Sequence, residues 1–127
     1  SVCYEVTFGP LIADALPRAE VLLNVSNDGW FGDSLAPHQH LEMARFRARE
    51  TGREMLRATN TGITAVIGHR GGVRARAPMF ERTVLTAEVR PRRGVTPYVR
   101  WRDWPAVGAG LALALFAGVS ARGRRRR

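Results

Sequence analysis

Cys3, Tyr4 and Glu5 are the first residues able to do chemistry, and Cys3 is the only cysteine in the chain. A lone cysteine forms no intramolecular disulfide, so it is either a packing residue or a nucleophile. A thiol attacks well only as its thiolate, which needs a nearby base or positive charge. Glu5 is the nearest acid. Its carboxylate either orders a turn after the nucleophile by hydrogen bonding or simply favours the first turn of a helix. The backbone N–H of Tyr4 is a candidate donor to an oxyanion.

A second run, Asn27-Asp28-Gly29-Trp30-Phe31-Gly32, combines amides and acids with an aromatic tip. On its own it reads as a polar turn with an apolar end. His38 and His40 invite a metal reading, but two residues apart on a helix they point about 200° apart and do not chelate together. No cysteine or acid stands at metal-ligand spacing from them. No metal and no cofactor is therefore expected. His69 falls in a turn and reads as solvated.

These residues need elements to hold them. Val2–Glu5 reads as a strand end turning into a helix, and 11–16 as a short helix closed by Pro17. Val21–Val25 reads as a strand buried on both faces. A loop over 26–33 leads to a helix from Pro37, with Ser34 as a cap. Leu41, Ala44, Ala48 and Met55 share one helical face. Glu42–Arg45, Arg47–Glu50 and Glu50–Arg53 are spaced as ion pairs. Arg57–Asn60 reads as a polar bend. Strands are expected over Thr61–Ile67, Val73–Ala77 and Thr83–Val89, with a turn over 68–72. The order is that of an α/β fold.

Charge bounds the partners. The chain has 127 residues and a formal net charge of +9, and every basic side chain other than histidine is arginine. Such a balance suits anionic lipid as well as nucleic acid. No nucleic-acid motif accompanies the arginines, so no nucleic-acid partner is expected. Residues 98–103 read as a basic aromatic linker, and 104–121 as a transmembrane helix. Tyr98, Trp101 and Trp104 would form its aromatic belt, with 122–127 a cytoplasmic tail. The rest of the chain would then be periplasmic. The strand that should precede a nucleophile turn is nearly all missing before Cys3, so the chain is expected to be a piece of a longer protein.

Val2-Cys3-Tyr4-Glu5, followed by a strand ending in Asn27-Asp28-Gly29-Trp30-Phe31-Gly32, resembles the nucleophile region of the nitrilase (carbon–nitrogen hydrolase) superfamily. The run Arg57-Ala-Thr-Asn-Thr-Gly62 matches as well. The likeness is to the C-terminal part of the branch that acylates bacterial lipoproteins at the inner membrane. It implies that residues 1–97 are the C-terminal part of a nitrilase-like α-β-β-α sandwich. It also implies a Glu–Lys–Cys triad, of which only the cysteine maps here. The expected substrates are a phospholipid acyl donor and a diacylglyceryl lipoprotein acceptor. Asn27, Asp28, Trp30, Phe31 and Asn60 become candidate substrate-binding residues, and Gly29 departs slightly from the expected alanine. A membrane-tethered amidase and a non-catalytic basic module are the alternatives.

Overall fold

The computed structural model of the chain describes residues 1–16 and 18–125. Val2 bridges to Val25, and a 3-10 helix follows at once over Cys3–Thr7. Helix α1 is Gly9–Asp14, ending two residues before the expected boundary, and Pro17 lies outside the described residues. The four strands are β1 (Leu22–Asn27), β2 (Met55–Asn60), β3 (Ala65–Ile67) and β4 (Val73–Arg76), in that order across one sheet. β1 and β2 are parallel, with Leu22 opposite Met55 and Asn27 opposite Asn60. The remaining pairs are antiparallel, so the sheet is mixed.

Helix α2 (Ala36–Thr51) is the crossover between the parallel strands, as their pairing requires. Pro37 lies in its first turn, where the missing N–H costs nothing, and Ser34 Oγ accepts from Ala36 N. Leu41, Ala44 and Ala48 recur at three- and four-residue spacing. They pack with Val6, Ile12, Leu22, Met55, Ile63 and Ile67 to form the core. Gly52 ends the helix with a left-handed φ of 66°, which glycine adopts freely. Met55 is therefore a strand residue rather than the last member of the helical face. Of the expected ion pairs, Glu42–Arg45 and Arg47–Glu50 form. Arg53 instead donates to the carbonyls of Ala19, Thr51 and Gly94.

Several expectations are corrected. β1 alternates between buried and exposed residues, with Leu23 and Val25 open, because its second face has no cover among the described residues. Arg57–Asn60 is the C-terminal half of β2 and not a bend. Arg57, its buried polar side chain, meets Asn24 and Asp28 inside the fold, so polarity here does not mean a loop. Thr61–Thr64 forms no strand, and β3 is only Ala65–Ile67. Residues 83–89 form no strand, since no neighbouring strand pairs with them. The 68–72 turn closes through Gly68 N to Gly72 O.

The linker contains helix α3 (Pro97–Trp101), capped by the Thr96 hydroxyl. Helix α4 follows over Trp104–Arg125. The expected transmembrane helix over 104–121 is not supported, for no helix among the described residues is long and apolar enough to cross a membrane. Glycine and alanine make up much of the stretch, and arginine begins at 122. Its apolar run stops short of the roughly 20 residues a span requires. The end of the tail, residues 126–127, lies outside the described residues.

Candidate active site

Val2 leaves the sheet in an extended conformation, and Cys3 turns the chain with a φ of 48°. That left-handed region strains any residue with a β-carbon, by about 1–3 kcal/mol. Glu5 secures the turn. Its Oε2 accepts the Val2 N–H at 2.8 Å, while its own N–H donates to Val2 O at 3.1 Å. The arrangement presents the Cys3 thiol, half-buried, at the junction of strand and helix.

Beneath it lies a polar network that the apolar look of β1 conceals. Asn24, Ser26 and Asp28 are two residues apart and so project from the same side of the chain. All three are buried. Asn24 Nδ2 donates to Cys3 O at 3.4 Å and to Ser1 Oγ at 3.2 Å. Its Oδ1 accepts from Arg57 Nη1. Ser26 Oγ lies 3.6 Å from Cys3 Sγ and 2.7 Å from Asp28 Oδ1. His40 Nδ1 sits 2.9 Å from the same oxygen, and Arg57 Nη2 donates to Asp28 Oδ2 at 2.9 Å. Burial pulls the Arg57 pKa down, and the charges of Asp28 and of Cys3 oppose that fall. The Asp28–Arg57 pair is fully desolvated, which only mutual neutralisation makes tolerable.

The expected substrate residues divide. Asp28 is 1 % exposed and engaged within the fold. Trp30 is 88 % exposed, and with Phe31 it forms an apolar tip in a 3-10 turn. Asn27 Oδ1 accepts the Gly29 N–H at 3.1 Å, shaping that turn. Asn60 O accepts from Asp28 N, and the residue lines a cavity of about 450 Å³ with Thr59, Gly62 and Phe80. Tyr4 is half exposed, with its ring 5.5 Å from that of His40.

Sequence reasoning missed Asn24, Ser26, His40 and Arg57 as one group. The two-residue spacing on β1 was the available signal for the first two. His40 points inward and His38 outward, and among the described residues no three His, Cys, Asp or Glu side chains are placed to hold a metal. His69 lines a separate basic cavity with Arg70, Arg74, Arg90 and Arg92. Partial burial and the positive charges of Arg92 and Arg70 lower its pKa.

A strained cysteine between strand and helix, on a mixed sheet with one crossover helix, defines a domain of the α/β class. Residues 1–98 match the carbon–nitrogen hydrolase family model, and the chain belongs to that family. It is 56 % identical over 119 residues to a protein of Methylococcus capsulatus named apolipoprotein N-acyltransferase, covering 92 % of this chain and 24 % of that one. A protein of the same name from Azotobacter vinelandii is 48 % identical over 126 residues, covering 99 % of this chain and 24 % of that one. Another, from Pseudomonas putida, is 48 % identical over 120 residues, with coverage of 92 % and 24 %. The chain thus spans about a quarter of the length of these relatives.

Proposed function

We propose that this chain carries the nucleophile of an apolipoprotein N-acyltransferase. The observation that carries the reading is Cys3 held at φ 48° on a braced turn, in a chain that also presents an exposed aromatic tip and is so similar to proteins of that name. In the first step the Cys3 sulfur attacks an ester carbonyl of a phospholipid. A C–S bond forms, the C–O bond breaks, and the protonated lysophospholipid leaves. In the second step the α-amine of a diacylglyceryl-cysteine attacks the thioester. A C–N bond forms, the C–S bond breaks, and the amine's proton returns through a base to the thiol. The general base and the oxyanion-stabilising lysine of the triad belong to residues outside this chain, which contains no lysine.

Glu5 supports the turn rather than taking the proton, and the Tyr4 N–H is the proposed oxyanion donor. Trp30 and Phe31 meet the acyl chains, while Asn27 and Asn60 shape the approach. Both substrates stay anchored in a bilayer, so the reaction belongs at a membrane surface. The exposed apolar side chains of α4, among them Leu111, Leu115 and Phe116, favour the same placement. The open face of β1, with Leu23 and Val25, is the face on which the second sheet of an α-β-β-α sandwich would rest.

The test uses the full-length protein that carries this chain. Incubated with phospholipid and no acceptor, it should accumulate a hydroxylamine-labile acyl adduct, discharged when a diacylglyceryl peptide is added. Cys3→Ser should abolish the adduct, because a serine hydroxyl is far less ionised than a thiol. Acylation of the Cys3→Ser variant at the parent's rate would remove the assignment.

A further inference from the structure

We propose that Ser26, held by Asp28, is a positioning residue that orients the Cys3 sulfur and stabilises its thiolate. The inference rests on Cys3 being the nucleophile, and it adds a group outside the Glu–Lys–Cys set. Its basis is a count of hydrogens. An ionised carboxylate only accepts, so each partner of Asp28 must donate to it. His40 and Arg57 do so through N–H groups, and Ser26 does so through its single hydroxyl hydrogen. That hydrogen cannot serve Asp28 and Cys3 together. With Cys3 as a thiol, the hydroxyl donates to Asp28 at 2.7 Å, and its lone pairs face a sulfur 3.6 Å away that can donate its own hydrogen. With Cys3 as a thiolate, the hydroxyl turns to the sulfur. Asp28 then keeps two donors, one of them a guanidinium, and is not stranded. The hydroxyl thus serves whichever anion lacks a donor, and the serine backbone does not move.

The surroundings make this more than a chance contact. Ser26 is 9 % exposed and Asp28 1 %, so water does not readily replace either group. Asn24 fixes the other side of the nucleophile by donating to Cys3 O. Of the ionisable groups on elements packed against this turn, Tyr4 and Glu5 lie in the turn itself, His40 of α2 lies against Tyr4, Arg47 of α2 donates to Thr7 O, and Arg57 reaches in from β2. Glu5 is engaged with Val2 N, Arg47 with Thr7 O and Glu50, and Asp14 of α1 with Arg102. Among the described residues, Ser26 is the side chain bonded to both Asp28 and the sulfur.

The experiment measures the alkylation rate of Cys3 by iodoacetamide against pH in the full-length protein, with Cys3→Ser as the blank. Ser26→Ala should move the midpoint of the rise upward by about one pH unit, leaving roughly tenfold less thiolate on the acid side. Ser26→Thr keeps the hydroxyl and should restore the parent midpoint. A merely structural serine would lower the melting temperature of the alanine variant and leave the midpoint in place, which would overturn the inference. Infrared spectroscopy covers the case in which the alanine variant does not fold. The S–H stretch of Cys3, isolated by subtracting the Cys3→Ser spectrum, should lie at the lowered frequency of a hydrogen-bonded thiol, and the free-thiol frequency would overturn the inference. Alkylation requires no lipid. A shifted midpoint without any acyl adduct would therefore sink the acyltransferase reading and spare this one. An acyl adduct with an unmoved midpoint would do the reverse.

Discussion

Gly62 is a glycine because Asp28 occupies the space a side chain would need. A β-carbon there would lie 2.4 Å from Asp28 Oδ2 and 2.9 Å from its Cγ. Asp28 cannot retreat without abandoning Arg57 and His40. Gly62→Ala should therefore cost more than the about 1–3 kcal/mol of ordinary overpacking. It should approach the roughly 3–5 kcal/mol of breaking a buried ion pair. Denaturant unfolding of the full-length protein measures this, and a loss under 1 kcal/mol would show that Asp28 is freer than its packing implies. At this scale the sequence was legible where chemistry is local. Glu5 stands two residues after Cys3, and the structure puts its carboxylate on the Val2 N–H of the same turn. Asn24 was not legible, because it sits among Val21, Leu22, Leu23 and Val25 and was absorbed into an apolar strand, and Ser26 was not, because it reads as the start of the following loop rather than as part of β1. Arg57 and His40 come from distant segments, and only the parallel pairing of β1 with β2 and the inward face of α2 bring them to Asp28.

The elements that were legible carry a strong period or a strong stop. α2 shows its apolar spacing and its early proline, whereas its end at Gly52 was not legible, since Met55 falls on the same face by spacing. β2 was not legible, because Arg57, Thr59 and Asn60 look like loop residues until their buried partners are known. The 83–89 stretch failed the other way, for it has strand composition and no strand beside it. One pH effect belongs to α2. Burial raises the Glu50 carboxyl pKa above its ordinary value, against the opposing pull of Arg47. The folded protein thus holds this proton to higher pH than the unfolded chain does. Unfolding free energy should be greatest below the ordinary glutamate pKa, fall as pH rises through the raised one, and level off above it. Glu50→Gln cannot ionise and should remove this fall. The measurement is the urea midpoint of the full-length protein across that window, for parent and variant. Identical slopes would mean that Glu50 does not titrate differently in the two states.

Over the whole molecule, the α/β class followed from the order of strands and helix, whereas the reach of α4 did not. Its apolar run is diluted by small residues and ends in arginine, so an apolar look alone overstated it. The absence of lysine has a further consequence at this scale, because every tryptic site in the chain is an arginine. Arg57 is buried in the Asp28 network, and Arg53 is locked to three carbonyls, so neither offers its peptide bond. Arg90 precedes Pro91, a bond trypsin does not cut. The Arg92 N–H is tied to Glu20 O. Arg82 differs from all of these, being exposed in an unpaired stretch. Brief trypsin treatment of the native protein should therefore nick this segment first after Arg82. The two pieces should stay together, since residues past the nick still grip the domain through Arg90 N to Glu54 and Arg53 to Gly94 O. Mass spectrometry of the early digest would identify the cut, and gel filtration would show whether the nicked protein travels as one. The unpaired stretch is in effect a seam, along which the domain can be opened covalently while its fold remains closed.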